Sequence, residues 1–162
     1  MRAQRISSFQ ELAAAVGACD PRYTAHVWGD QGLRSWTVKA GACLLMRDAN
    51  AGRNHLKVVL SDPDEDGYVL FVGIMTIRDD RHDRACVIMP GDHSFIRAPS
   101  TVAYDHCRRV KAATLAKAVE SGAALARDAF GDDLLARMRR GVSKSRFTPA
   151  EVWRTAPRTW AA

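Results

Sequence analysis

The stretch that decides the fold is HLKVVLSDPDEDGYVLFVGIMTI, residues 55–77. Two runs of apolar and β-branched residues flank SDPDEDG, an acidic segment with the Pro and Gly that favour a turn. Each run predicts a strand, and the second, at 68–77, is apolar enough to be buried on both faces. Strands at this spacing, joined by tight turns, are typical of a small β-barrel and not of βαβ units.

Further strands are predicted on both sides of this stretch. SWTVKAGACLLM, residues 35–46, predicts two short strands bent at Gly41. ACVIM at 85–89 predicts another strand, and STVAY at 100–104 predicts a final short one. The Pro- and Gly-rich stretch between these last two predicts a loop. The middle of the chain is therefore expected to be β-structure.

Helices are predicted at both ends of the chain. Residues 7–17 have a serine cap, an apolar face and a terminal glycine. Residues 105–130 are alanine-rich and predict a long helix. Residues 130–142 predict a second, because aspartates in its first turn and arginines in its last complement the helix dipole. Residues 143–162 are expected to be extended or to wrap around the domain.

Composition and charge exclude some classes of protein and favour others. The chain has 162 residues, of which 47% are hydrophobic and 26% charged, as in an ordinary globular domain. The net charge of +6 favours an anionic partner, most often nucleic acid, although a generic basic surface on an arginine-rich protein would look the same. The four cysteines form no C-x-x-C pair, so neither a zinc ribbon nor a thioredoxin-like motif is predicted.

The sequence predicts no membrane association. No stretch has the run of apolar residues that a bilayer-spanning helix needs. The first 17 residues are basic but lack the apolar core and cleavage site of a secretory signal. We therefore expect a cytoplasmic protein.

Four segments together resemble the MazF/PemK family of toxin endoribonucleases. They are KAGACLLM, NHLKVVLSDP, YVLFVGIMTIR and TVAY. In that pattern His55 falls on the family's catalytic Arg, Leu56 on the following Pro, and Thr76 on the catalytic Thr. The stretch PGDHSFIRAPSTVAY also resembles MazF/PemK-like proteins with a Gly-Asp-His-Pro-Phe-Ile motif, with Ser94 replacing the Pro.

This resemblance implies an SH3-like small antiparallel barrel. The expected fold is therefore α+β, with helices before and after that barrel. We expect a single domain over residues 1–162. Within it, 1–35 would be an N-terminal helical extension, 36–104 the SH3-like barrel, and 105–162 a helical C-terminal extension with a basic tail.

The resemblance also implies a function. It implies a metal-independent endoribonuclease that cleaves single-stranded RNA without a cofactor and acts as the toxin of a toxin–antitoxin pair. A small antitoxin protein would bind over the site, and homodimers are plausible. The candidate catalytic residues are His55 and Thr76, which the family pattern implies, with His93 of the Gly-Asp-His loop as a supporting candidate. The candidate RNA-binding residues are the basic side chains of Arg53, Lys57, Arg78 and Arg97.

Each candidate has a structural alternative. Histidine exchanges protons near neutral pH, and arginine or lysine stabilises phosphate charge. However, His55 could equally be a strand-edge residue, Thr76 an ordinary strand former, and His93 a turn residue bonded to backbone. Because imidazole lacks the bidentate contacts of a guanidinium, a non-catalytic barrel that binds nucleic acid or protein is the main rival. A protein-interaction or inhibitor function is a third possibility.

Two further segments carry charge. Asp79, Asp80, His82 and Asp83 could hold a divalent cation, but interleaved charges of both signs favour an exposed turn, and no metal site is predicted. The basic tail from Arg137 onward contains Trp153 and Trp160. These tryptophans could stack on the bases of single-stranded nucleic acid, or they could anchor the tail to the barrel.

Overall fold

The described residues form one antiparallel sheet of six strands with helices on both faces. The computed structural model describes residues 36–48 and 53–161, so the predicted helix at 7–17 and the whole 1–35 extension lie outside the described residues. The strands are β1 (Cys43–Asp48), β2 (Arg53–Val59), β3 (Tyr68–Thr76), β4 (Val87–Ile88), β5 (Ser100–Lys111) and β6 (Ala124–Arg127). Their order across the sheet is β4-β5-β3-β2-β1-β6. The α+β class is confirmed, and the sheet curls into a half-barrel with β4 and β6 at its two ends.

Within 36–48 and 53–161, the helices follow the long strand β5. They are α1 (Ala112–Glu120), α2 (Asp132–Lys144) and α3 (Ala150–Thr155), and a 3-10 turn spans Arg158–Ala161. The helix predicted at 130–142 is confirmed as α2, which has Asp132 and Asp133 in its first turn. Within 36–48 and 53–161, no helix is both long and apolar enough to cross a membrane.

Two apolar cores lie on opposite faces of the sheet. The α2 core packs that helix on alternate residues such as Val58, Val72 and Val102. The α1 core packs its helix on the intervening residues, such as Val59 and Phe71. Both faces of β3 are therefore covered along most of its length, which confirms the prediction of a doubly buried strand at 68–77.

Three cysteines add to the apolar packing. Cys43, Cys86 and Cys107 are buried free thiols. Burial raises the pKa of all three, that of Cys107 to about 12. Cys43 and Cys86 therefore pack as small apolar residues.

The long helix predicted at 105–130 is wrong. Strand β5 continues to Lys111, because Arg108 and Val110 pair with β3. Only Ala112–Glu120 is helical, and ALAR at 124–127 is strand β6, paired with β1. Pairing with a neighbouring strand outweighs the helix propensity of alanine and arginine. The 104/105 boundary between barrel and extension accordingly falls inside β5.

The structure corrects two smaller assignments. Of the two strands predicted over 35–46, only the second exists, as β1, and Gly41 lies in the turn before it with a φ of 86°. The strand predicted at 85–89 is reduced to Val87–Ile88. Such a short strand has little exposed edge with which another chain could pair.

A wide bulge interrupts the pairing of β5 with β3. Phe71 pairs with Arg108, and Gly73 pairs with Ala103. Four residues of β5, 104–107, therefore stand opposite the single residue Val72, so three of them are extra. The Arg108 guanidinium braces the bulge by donating to the carbonyl oxygens of Asp105 at 2.9 Å and Cys107 at 2.8 Å.

Helix α2 approaches β5 closely at a glycine. Tyr104 is fully buried, and its hydroxyl donates to the Met138 carbonyl oxygen at 2.7 Å. Gly141 follows one turn later on α2, and a Cβ atom placed there would lie 1.8 Å from the Tyr104 hydroxyl oxygen. Helix α2 can therefore pack this closely on β5 only when residue 141 is glycine.

The acidic turn before β3 is organised by one carboxylate. Asp64 accepts the backbone N–H groups of Asp66 at 3.1 Å and Tyr68 at 2.8 Å, and it pairs with the Arg109 guanidinium. Partial burial acts to raise the pKa of Asp64, but the hydrogen bonds from Arg109 and Tyr68 outweigh it and lower the pKa from its ordinary value of 3.8.

We expect Asp64→Asn to lower the free energy of unfolding at pH 7 by about 1 kcal/mol, because a half-exposed charge-assisted pair is lost. Since the folded-state pKa is depressed, this stabilisation is present above the unfolded-state value and is lost as the pH falls through the folded-state pKa. Urea denaturation of wild type and variant from pH 7 to pH 2 measures it. A difference that stays constant as the pH falls would contradict the role of the charge.

Candidate functional site

Three basic or imidazole side chains share one face of β2. Successive side chains of a strand alternate between faces, so Arg53, His55 and Lys57 lie on the same side as Val59, which belongs to the α1 core. Arg53 is exposed, whereas His55 and Lys57 are half-buried. We call these three residues the β2 stripe.

The Lys57 side chain crosses the neighbouring strand at a glycine. Lys57 pairs with Gly73 of β3. A Cβ atom at Gly73 would lie 3.1 Å from Lys57 Nζ and 3.5 Å from its Cδ. The lysine therefore lies over Gly73, and its ammonium is held against the sheet. A glycine inside a strand often marks a place where another group approaches the backbone closely. Gly73 in the β3 pattern was therefore a signal for the placement of Lys57, and the sequence interpretation did not use it.

His55 stands next to Lys57 on the same face. It pairs with Met46 of β1 and is two residues from Lys57, a separation of about 6.7 Å along a strand. Its Nε2 atom is shielded from solvent. A general acid or base and a cation are thus fixed side by side, which is the minimum arrangement for chemistry at a phosphodiester.

Thr76, Arg78 and Arg97 form a separate group, at the end of the sheet where β2 begins and β3 ends. Thr76 is exposed at the end of β3, paired with Ser100, and by alternation it lies on the α2-core face with Ile74. Arg78 and Arg97 are exposed on two segments joined by a hydrogen bond of 2.9 Å from Ile77 N–H to the Pro99 carbonyl oxygen. Register thus groups Thr76 with these arginines and not with the β2 stripe.

His93 is held by backbone at both ring nitrogens. It is buried, its Nε2 lies 2.7 Å from the Asp128 carbonyl oxygen, and its Nδ1 accepts Phe95 N–H at 3.1 Å. The ring also packs on Phe130, with 4.4 Å between ring centroids. These contacts match the alternative of a backbone-bonded turn residue. His93 ties the loop before β5 to the segment after β6.

Asp92 does not orient His93. Its carboxylate accepts Met89 N–H at 2.9 Å and lies 3.6 Å from the Arg137 guanidinium. The neighbouring Ser94 hydroxyl donates to the Asp128 carboxylate at 2.8 Å. The Gly-Asp-His segment is therefore a structural connection between loop and helix.

The charged turn at 79–84 neutralises itself. The Asp79 carboxylate accepts the Arg81 side chain and backbone, at 3.0 and 2.9 Å, and contacts His82 Nδ1 at 3.1 Å. The hydrogen bond from the Arg81 side chain lowers the pKa of Asp79. Asp80 pairs with Arg84. Across the part of the chain that the structure describes, no cluster of three His, Cys, Asp or Glu side chains could hold a metal ion.

Comparison with known proteins finds similar chains among the solved structures. No protein-family model matches the sequence, and no curated protein does. Two crystal structures of MazE-MazF from Deinococcus radiodurans, Form-II and Form-III, are 18% identical to the chain. The match to Form-II covers 68% of this chain and 95% of the matched chain, with a TM-score of 0.45. The match to Form-III covers 67% of this chain and 95% of the matched chain, with a TM-score of 0.46. A similarity at this level assigns neither an activity nor site residues to the chain.

Proposed function

We propose that the chain is a metal-independent endoribonuclease that cleaves single-stranded RNA, in the manner of the MazF/PemK toxins that its sequence resembles. The observation that carries the proposal is the β2 stripe, in which His55 and Lys57 share a face. The net charge of +6 supports a polyanionic substrate. Residues 36–104, over which the sequence resembles that family, include the stripe.

Cleavage needs a base for the ribose 2′-hydroxyl and a cation for the phosphate. In this mechanism the His55 imidazole accepts the 2′-OH proton. The 2′-oxygen attacks phosphorus, the bond to the 5′-oxygen breaks, and that oxygen takes a proton from water. Lys57 and Arg53 stabilise the charge that develops on the phosphate oxygens. The products are a 2′,3′-cyclic phosphate and a 5′-hydroxyl.

The replacement of the family's arginine is explained by a division of labour. A guanidinium at position 55 would bind phosphate but exchange no proton at neutral pH. With His55 there, proton transfer becomes possible at that position, and the phosphate contact passes to Arg53 and Lys57 on the stripe. Thr76 then contacts RNA at the sheet end, together with Arg78 and Arg97.

As a toxin of this type, the chain would act in the cytoplasm and be restrained by a small antitoxin. We propose that the antitoxin covers the β2 stripe, since blocking these residues stops both substrate binding and proton transfer. Pairing of two copies into a homodimer belongs to the same proposal. If a small gene lies upstream or downstream of this one, its co-expression should relieve growth arrest on induction.

One observation favours a second function. The shielded Nε2 of His55 leaves part of the imidazole inaccessible, which suits a residue that packs rather than reacts. The alternative is a non-catalytic barrel that holds RNA on the same stripe through Arg53 and Lys57. Such a protein would bind RNA and leave it intact.

The test is incubation with a mixed RNA in excess EDTA. We expect cleavage to fragments ending in 2′,3′-cyclic phosphate, and no cleavage of a 2′-deoxy oligonucleotide of the same sequence, which lacks the nucleophile. His55→Ala, purified identically, controls for contaminating ribonuclease. RNA that is bound but survives intact with wild type would leave the binding module as the function.

Gly73→Ala tests the placement of Lys57. The new methyl group meets only the far end of a flexible side chain, so we expect the melting temperature to stay nearly constant. The ammonium is displaced, and the cleavage rate should fall by about tenfold or more, since misplacement by about 1 Å is costly. In a Lys57→Met background the same change should have no further effect. An additive loss there would show that Gly73 acts by another route.

A further inference from the structure

Two exposed aromatic side chains lie on and just before the short helix α3. Trp153 on α3 is 58% exposed, and Phe147 in the segment before it is 41% exposed. The same segment buries Ser145 and Val152 against the protein, so the aromatics occupy its outward side. Each has an exposed arginine directly beside it in the sequence, Arg146 or Arg154. We call these four residues the α3 surface: Arg146, Phe147, Trp153 and Arg154.

The two tail tryptophans have different surroundings. Trp160 is half-buried, packs against the α2 core and lies under the Arg139 guanidinium, 5.0 Å from its ring centroid. Arg139 in turn donates to the Leu60 carbonyl oxygen at 2.8 Å. Trp160 therefore anchors the tail. Trp153 is not among the residues that pack on that core, and Val152 is the residue that buries α3 against it.

The segment that carries the α3 surface is strongly basic, and one carboxylate from outside it, that of Asp83, accepts the Ser145 hydroxyl. From 137 to 158 the only acidic residue is Glu151. The basic residues of that segment are Arg137, Arg139, Arg140, Lys144, Arg146, Arg154 and Arg158. Arg146 lies 4.8 Å from the Phe147 ring centroid, so cation and ring already form one surface. A polyanion with flat apolar groups complements both the charge and the rings.

We propose that the α3 surface is a second binding site for single-stranded RNA, in which a base stacks on Trp153 and the flanking arginines pair with phosphates. Aromatic rings accept any base, because every base has a π-face, so the site tracks strands without reading sequence. The choice of RNA over DNA rests on the proposed function.

The α3 surface and the β2 stripe lie on opposite sides of the sheet. Val152 belongs to the α2 core, whereas the β2 stripe lies on the α1-core face. A strand that contacts both must pass around the sheet, so only long RNA reaches both sites. The α3 surface should therefore strengthen binding of long strands and leave cleavage of a tetranucleotide unchanged.

The experiment uses a 2′-deoxy oligothymidine of about 20 nucleotides, which spans more than one stacking site and cannot be cleaved through a 2′-hydroxyl. We expect binding to quench tryptophan fluorescence. Trp153→Ala should raise Kd by about tenfold, as loss of one stacked base predicts. Trp153→Phe should retain most of the affinity and lose most of the quenching. Phe95→Ala removes another exposed aromatic, which has no adjacent arginine. This variant should change neither Kd nor the quenching of tryptophan fluorescence.

The outcomes separate this inference from the proposed function. A Kd for Trp153→Ala within twofold of wild type, at equal melting temperature, overturns the α3 site even if RNA is cleaved. A loss of affinity in that variant supports the site even if wild type cleaves no RNA. Equal quenching in wild type and Trp153→Phe also overturns it, because stacking on Trp153 would then be absent.

Discussion

Replacing Gly141 by alanine is expected to lower the free energy of unfolding by about 3–5 kcal/mol. The new Cβ would stand 1.8 Å from the Tyr104 hydroxyl oxygen and 2.4 Å from its ring carbon Cζ. Tyr104 is fully buried and cannot turn away into solvent. Either α2 shifts off the sheet or the tyrosine leaves its site, and both routes break the hydrogen bond to the Met138 carbonyl oxygen.

Chemical denaturation with urea measures the Gly141 effect. Gly131→Ala is the matched control, since a Cβ at that glycine, also on the approach to α2, has no neighbour within 4 Å. We expect the control to lose no more than about 1 kcal/mol, because Gly131 is the N-cap of α2 and alanine is a poorer N-cap than glycine. A Gly141→Ala variant as stable as its control would mean that α2 does not seat on Tyr104.

His55→Ala is expected to reduce RNA cleavage by about 10²–10³-fold without loss of folding, because general acid–base catalysis contributes on that scale. The residue is half-buried near the beginning of β2, so its removal leaves the core strand Leu56–Val59 intact. Binding of uncleavable RNA should fall only slightly, since Arg53 and Lys57 still meet the phosphates.

Asn54→Ala is the control for His55. Asn54 is exposed on the same strand and, by alternation, faces the other side of the sheet. Free imidazole added to His55→Ala should restore part of the rate, which a merely structural histidine would not allow. Cleavage by His55→Ala at the wild-type rate would remove histidine from the mechanism and return the stripe to a binding role.

The strands around the acidic turn could be predicted because their signal is local. β2 and β3 follow from runs of β-branched residues, and the Pro and Gly between them fix the turn. Helix α2 follows equally from Asp132, Asp133 and its apolar face. In each case the residues that decide the structure lie within one turn or one strand of each other.

The second half of β5 and strand β6 could not be predicted in this way. Ala124–Arg127 has the composition of a helix and becomes a strand only because β1 offers an edge to pair with. The bulge at 104–107 interrupts the period-two pattern of β5, so the strand beyond it loses its signature. Contacts distant in sequence decide these elements, and composition carries little trace of them.

The features of the candidate site likewise differ in whether local sequence or distant contacts decide them. That Arg53, His55 and Lys57 share a face follows from alternation along β2 alone. That Lys57 lies over Gly73 depends on the register between two strands. The partners of His93 lie farther still, since Asp128 is 35 residues away. The sequence pattern could therefore propose a catalytic His93, whereas only the fold shows its ring nitrogens bonded to backbone.

The bulge in β5 also separates two halves of one strand. Before it, even-numbered residues such as Val102 face the α2 core, and after it the even-numbered Val110 faces the α1 core. Each half takes its orientation from its own pairing with β3, not from the count of residues between them. Asp105 and His106, exposed at this joint, are thus where the chain can gain or lose length while both halves of the sheet keep their faces.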